Sequence, residues 1–254
     1  MKLSWKIFVT AILFGVSVKA DTLDLKGGIE AWHAAPSGSL RYQNSNWISA
    51  EDGLGYENET IPCIWLDLEH TIPFVPNLRL EHTGINYSGR THGNVAWGPW
   101  NYSDNALSEL QIKEYDTILY YTLLKDTFWT TLDIGIDLKF IDSRYMIQDD
   151  YGIEATYNAS DSLMIPQGYL RARVDIPQTR IGVESSLQYI SNVSSELYDM
   201  RIKADYALDF EFSNLQPAIE LGYRKQHICI DEDDYDTKIK IDLGGFYWGA
   251  MLRF

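Results

Sequence analysis

The chain has 254 residues, of which 36 are Asp or Glu and 21 are Lys or Arg, giving a formal net charge of -15. Such acidity argues against nucleic acid as a partner, because phosphate repels it. The two cysteines, Cys63 and Cys229, form neither a CxxC motif nor a Cys/His cluster, which argues against a zinc site of familiar spacing. The sequence implies no cofactor. Whether the two cysteines pair stays open at this point.

Residues 1–20 differ from the rest of the chain. Lys2 and Lys6 flank the start, an apolar stretch covers residues 7–18, and Val18-Lys19-Ala20 is a plausible cleavage site. The apolar stretch is well short of the roughly 20 residues that a membrane-spanning helix needs. The segment therefore predicts a secretory signal peptide cleaved after Ala20, which leaves residues 21–254 as one exported domain.

The remaining sequence alternates with period two, which places successive side chains on opposite faces of a strand. In residues 131–140 every second residue is apolar, from Leu132 to Phe140, while Asp133, Asp137 and Lys139 lie on the other face. A second clear run is 198–208, where four consecutive positions of the polar face are charged. A charged face this dense is unusual for a soluble β-sandwich and favours a barrel with lipid outside.

Ten such runs predict ten strands, with eight to twelve compatible with the pattern. They lie near residues 22–33, 59–71, 77–88, 107–124, 127–142, 162–176, 179–191, 196–210, 215–230 and 237–254. Short and long connections alternate, so the short turns gather at one end and the long loops at the other. An all-β fold follows: a transmembrane antiparallel up-and-down β-barrel with short periplasmic turns.

The polar faces predict a charged lumen with both signs in similar numbers. The lumen-facing charges are Asp133, Asp137, Lys139, Arg171, Arg173, Asp175, Glu184, Arg201, Lys203, Asp205, Glu220 and Arg224. Opposite charges can pair across a narrow barrel and fill it. A filled lumen and a narrow channel for small solutes both remain open.

The long loops carry aromatic residues that suit two roles. These are Trp47, Tyr56, Trp97, Trp100, Tyr102, Tyr151 and Tyr157. They either contact partners at the surface or fold over the barrel mouth as a lid. The acidic run 231–236 is interpreted as a solvated loop, with divalent cations as a weaker alternative. His33, His92 and His227 lie near the predicted loop end of the barrel. His227 with Asp231 is the pair to test for a surface hydrolase. No catalytic motif is present, and an enzyme is not predicted.

The last strand alternates up to the final residue, with Phe246, Trp248 and Phe254 on one face. This resembles the C-terminal signature of outer-membrane barrels, which implies that these aromatic residues are recognised by the barrel assembly machinery. The whole chain also resembles an uncharacterised family of small gram-negative outer-membrane β-barrel proteins. The matching pieces are residues 20–22, Trp32, 36–38, 69–73, 76–80, 119–121, 220–224 and the closing strand.

These observations predict an integral protein of the gram-negative outer membrane, with lipid and lipopolysaccharide as its surroundings. The expected role is structural or surface-interacting, with a largely filled lumen. A narrow passive channel is the alternative, and a surface hydrolase is a distant third. The sequence leaves the oligomeric state undecided.

Overall fold

The computed structural model describes residues 23–149, 156–191, 195–210, 215–231 and 236–254. The predicted signal peptide lies outside the described residues. In chain order the strands are β1 (Leu23–Tyr42), β2 (Ile48–Ser49), β3 (Glu59–His70), β4 (Asn77–Arg90), β5 (Val95–Trp97), β6 (Trp100–Tyr102), β7 (Leu107–Thr127), β8 (Thr130–Gln148), β9 (Thr156–Asp175), β10 (Ile181–Ser191), β11 (Ser195–Ala207), β12 (Gln216–Ile230) and β13 (Thr237–Arg253).

Ten of these strands form one closed antiparallel barrel, which confirms the predicted fold class. Each long strand pairs with the next long strand along the chain, and β13 pairs with β1 to close the ring. Strand β2 adds only to β1, and β5 with β6 forms a separate two-stranded hairpin. Within the described residues no helix is long and apolar enough to cross a membrane.

The strands are strongly staggered. Cross-strand partners followed once round the barrel from Leu25 return to β1 at Ser37, 12 residues further along. A closed sheet with such a stagger must tilt its strands by about 40° to the barrel axis. A tilted strand of about ten residues then crosses the hydrocarbon core of a bilayer.

Near the short turns the barrel is apolar outside and charged inside. On β8 this part runs from Thr130 to Phe140: Ile134 and Ile136 are exposed on the outer wall, whereas Asp133 and Asp137 are buried in the lumen. The same arrangement recurs on the other long strands, and we call it the turn-side section. Its polarity is that of a barrel wall that faces lipid.

Beyond this section the polarity of the wall reverses. On β8 from Ile141 to Gln148, Ile141 and Tyr145 are buried inside, while Asp142 and Arg144 face outward and are exposed. Strand β9 reverses at the same level, with buried Ile165 and Tyr157 inside and Ser160 exposed outside. We call this part the loop-side section; it has the apolar core and polar exterior of a soluble barrel.

Two predicted loops are therefore shorter than expected. Strand β1 continues to Tyr42 although the prediction ended it at residue 33, and β8 and β9 extend to Gln148 and from Thr156 although residues 143–161 were predicted as a loop. The physical reason is the reversal of polarity. Outside-facing positions are apolar in the turn-side section and inside-facing positions are apolar in the loop-side section. The period-two pattern is therefore interrupted at the boundary while the strand continues.

Candidate functional site in the barrel lumen

The structure places the twelve predicted lumen charges on the inner wall of the turn-side section. Nine of them are buried: Asp133, Asp137, Lys139, Arg171, Arg201, Lys203, Asp205, Glu220 and Arg224. Arg173 and Glu184 are partly buried, and the side chain of Asp175 is half exposed at the turn-side rim. The inner wall is thus a continuous charged surface.

Eight further buried charged residues share this surface, and all but Asp199, which belongs to the charged face of the run 198–208, were missed from sequence. They are Glu30, Asp67, Glu69, Arg79, Glu81, Glu114, Asp116 and Asp199, all buried. The twelve predicted charges divide into six of each sign, whereas seven of these eight are acidic, so the described lumen has an excess of carboxylates. The alternation in β3, β4 and β7 carried the signal: in β3, for example, Asp67 and Glu69 alternate with outward Leu66 and Leu68.

Arg224 connects strands on nearly opposite sides of the barrel. Its guanidinium donates hydrogen bonds to Asp199 on the neighbouring strand β11, the shortest at 2.6 Å, and to Thr83 Oγ1 on β4 at 3.1 Å. It also lies 4.4 Å from the ring centroid of Trp32 on β1. Because its contacts cross the lumen, this one side chain occupies the centre of the turn-side section.

Further ion pairs and one amide–carboxylate hydrogen bond extend the same layer. Arg201 contacts Glu81 of β4 at 2.6 Å and Asp199 at 2.9 Å, and Gln226 Nε2 on β12 donates to Glu114 Oε2 on β7 at 2.7 Å. On the far wall Lys139 contacts Asp116 at 2.5 Å. These contacts join β11 and β12 to β4 and β7 across the interior. We call this set the ion-paired layer.

Below the ion-paired layer a cavity of about 170 Å³ is lined by residues of the turn-side end. Arg171 contacts Asp67, Glu69 and Asp133 here, and Arg173 contacts Asp205 at 2.5 Å. The Trp65 ring lies between Arg79 and Lys203, 4.5 and 4.8 Å from the ring centroid. Gly28 leaves the space for this ring, since a Cβ there would lie 2.7 Å from the indole. The cations of the cavity thus already have carboxylate or aromatic partners.

Above the ion-paired layer the lumen is filled by an apolar cluster. Inward residues of the loop-side section form it together with the β5–β6 hairpin, whose Trp97 is fully buried against Tyr145, with ring centroids 4.4 Å apart. Tyr56 lies nearby and its hydroxyl forms a hydrogen bond with Ser108 Oγ at 2.8 Å. We call this set the apolar plug.

Most of the aromatic residues of the predicted loops therefore support the lid interpretation. Tyr56, Trp97, Tyr102 and Tyr157 are buried in the apolar plug, and Trp100 is packed against it. Trp47 remains partly exposed, with the Arg41 guanidinium 4.5 Å from its ring centroid, and Tyr151 lies outside the described residues. The loops cover the mouth of the barrel with their largest side chains.

The residues considered for a hydrolase do not come together. His227 is on the outer wall, with Nδ1 3.0 Å from Asp242 Oδ1, whereas Asp231 contacts Arg41 at 2.8 Å and Lys238 at 2.9 Å. Burial of Asp231 opposes its charged form, but hydrogen bonds from Lys238 and Arg41 hold its pKa below the usual value. The remainder of the acidic run, residues 232–235, lies outside the described residues. In the described part of the chain no group of three or more His, Cys, Asp or Glu is arranged to hold a metal ion.

The three aromatic residues of the closing strand lie on the outer wall. Phe246, Trp248 and Phe254 are 66%, 51% and 54% exposed. They continue the apolar exterior of the turn-side section down to the end with the short turns. Their role in assembly stays a prediction.

The two cysteines are free and face opposite sides of the wall. Cys63 on β3 points inward and is buried beside Arg224, whereas Cys229 on β12 points outward from the loop-side section. We expect a polar maleimide to label the folded protein once, at Cys229, and to label Cys63 only after unfolding. A C229S variant should remain unlabelled when folded. A gel mobility that depends on reductant would contradict the assignment.

No protein-family model and no curated protein matches the chain. Among solved structures, the chain is similar to the transport unit of the autotransporter AIDA-I from Escherichia coli, with 10% identity, a TM-score of 0.41, and coverage of 98% of this chain and 95% of that one. It is also similar to the β domain of the Bordetella autotransporter BrkA, with 10% identity, a TM-score of 0.37, and coverage of 92% of this chain and 99% of that one. A third similar structure is Neisserial surface protein A, with 10% identity, a TM-score of 0.31, and coverage of 91% of this chain and 97% of that one.

These likenesses are distant, and the strand pairing of the chain itself defines its fold. Membership of the small outer-membrane family expected from sequence stays a prediction.

Proposed function

We propose that the protein is an integral barrel of the gram-negative outer membrane with a sealed lumen and a role in contacts at the cell surface. The turn-side section supplies the membrane part, because its apolar exterior covers about ten residues of each tilted strand. The loop-side section then stands beyond the lipid with a polar exterior. A barrel with an apolar exterior at one end and a polar exterior at the other can present a rigid protein surface outside the membrane.

The observation that carries the sealed lumen is its double closure. The ion-paired layer connects β11 and β12 to β4 and β7, and the apolar plug fills the space above it. Moving ions through would separate buried charge pairs, which is strongly unfavourable, and would also expose the plug. This argues against the narrow passive channel. A surface hydrolase has no supporting contact, since His227 and Asp231 have different partners.

Single-channel recording in planar bilayers tests the sealed lumen. The refolded protein, confirmed as a barrel by heat-modifiable gel mobility, should give no discrete conductance steps. Conductance steps from the folded protein would contradict the proposal.

A second variant separates a sealed barrel from a channel closed by its loops. Replacing residues 91–106 with a short Gly-Ser linker removes the β5–β6 hairpin from the mouth but leaves the ion-paired layer. We expect this variant to stay silent. Conductance that appears only in this variant would make the hairpin a lid over a conducting barrel.

Surface contact is tested with the same hairpin variant. If the loop-side end binds a cell-surface partner, bacteria that produce the variant should bind that partner more weakly at equal barrel abundance. Equal binding would move the contact to the polar outer wall of the loop-side section.

A further inference from the structure

The short turns place bulky side chains where the backbone favours glycine. Phe128 and Trp129 have φ angles of 53° and 61° at the centre of the two-residue turn between β7 and β8. This is the pattern of a type I′ turn, for which Asn-Gly is the preferred pair. Phe74 follows Pro73 and has φ 64°. This corresponds to position i+2 of a type II turn, a position that normally takes glycine. Bulky side chains are strained in this region.

These strained residues are also exposed. Phe74 is 95% exposed, Phe128 85% and Trp129 58%. In water an exposed ring gains no burial that offsets the strain of its backbone. Any contact that stabilises these side chains would have to come from outside the chain.

The apolar tips surround the barrel instead of forming a patch on one side. Besides the two turns already described, exposed Ile176 lies at the turn between β9 and β10, and exposed Phe210 follows β11. The tips are continuous with the apolar wall, since Tyr121 on the outer face of β7 donates a hydrogen bond to the Phe74 carbonyl at 2.9 Å. A surrounding medium fits this distribution better than a single protein partner does.

We propose that these turn tips are seated in the headgroup boundary of the lipid leaflet at the turn-side end, where aromatic rings are favoured. The proposal rests on the proposed membrane location. In this role the turns are anchors that set the depth of the barrel in the membrane, and the strained backbone of Phe74, Phe128 and Trp129 lowers the stability of the turns themselves.

The turn between β9 and β10 supplies a matched control. Gln178 follows Pro177 and has φ 61°, so it occupies the same backbone position as Phe74 but carries a polar side chain. A glycine relieves strain in both turns, but only F74G removes an anchor. In phosphatidylcholine vesicles we expect Q178G to leave the folded-to-unfolded ratio unchanged or to raise it, and F74G to lower it about tenfold. Equal or greater stability of F74G would overturn the proposal.

Fluorescence quenching by brominated lipids locates the tips directly. Subtracting the signal of W129F isolates Trp129, which should be quenched most strongly by bromines close to the headgroups. Trp248 on the outer wall, isolated with W248F, should be quenched by deeper bromines. Quenching of Trp248 without Trp129 would refute the anchoring proposal alone, whereas absence of quenching at both residues would refute the membrane location.

Discussion

Replacing Arg224 with methionine is expected to lower the free energy of unfolding by about 3–5 kcal/mol, because it leaves buried carboxylates without their cation. Asp199 would lose its shortest partner, at 2.6 Å, and Glu114 the positive charge 3.7 Å away. Methionine conserves most of the volume, so loss of packing against Trp32 contributes less. Urea unfolding of the refolded barrel, followed by heat-modifiable gel mobility, measures the change.

The adjacent residue provides the control for this prediction. Lys225 is exposed on the outer wall of the same strand, so K225M removes the same kind of charge and should lower stability by no more than about 0.5 kcal/mol. Adding D199N to R224M should recover part of the loss, because one of the stranded charges is then removed. If R224M unfolds like K225M, the ion-paired layer does not stabilise the barrel.

The barrel and its charged wall were accessible from sequence for a simple reason. Side chains alternate strictly between the two faces of a strand. A strand with an apolar outer face and a polar inner face therefore has apolar and polar residues in strict alternation along the sequence. Residues 131–140 and 198–206 show it without exception. The short turns add the direction, since they gather at one end of the barrel.

The loop-side section was hidden by the same rule. Its strands keep their alternation, but Ile141 and Tyr145 are apolar at odd positions where Ile134 and Ile136 are apolar at even ones. Periodicity analysis treats such a change as the end of a strand. A reversal of parity inside one apolar-rich segment is therefore a sequence signal for a barrel that continues out of the membrane.

The sealing contacts were beyond sequence for a different reason. The pairing of Arg224 with Thr83, or of Gln226 with Glu114, depends on which strands oppose each other across the lumen. That arrangement follows from strand number and stagger together. Residue types alone identify a charged wall and leave its partners undetermined, which is why a narrow channel stayed open as the alternative to the expected filled lumen.

A charge on the outer wall should distinguish the two sections on a single strand. Ile202 and Glu196 both face outward on β11, in the turn-side and loop-side sections respectively, and Leu197 is buried inside the loop-side section. I202R should lower the free energy of unfolding in vesicles by about 2–4 kcal/mol, because it places a cation in the hydrocarbon region. E196R should change it by less than about 0.5 kcal/mol, because that position lies in water.

Leu197 completes the test because its environment is the reverse of that of Ile202. L197R should be as damaging as I202R, since it buries an unpaired charge in the apolar plug. Vesicle unfolding of the three variants separates the two questions: damage from E196R equal to that from I202R would extend the membrane-facing wall to the full length of the strand, and tolerance of L197R would contradict the apolar plug.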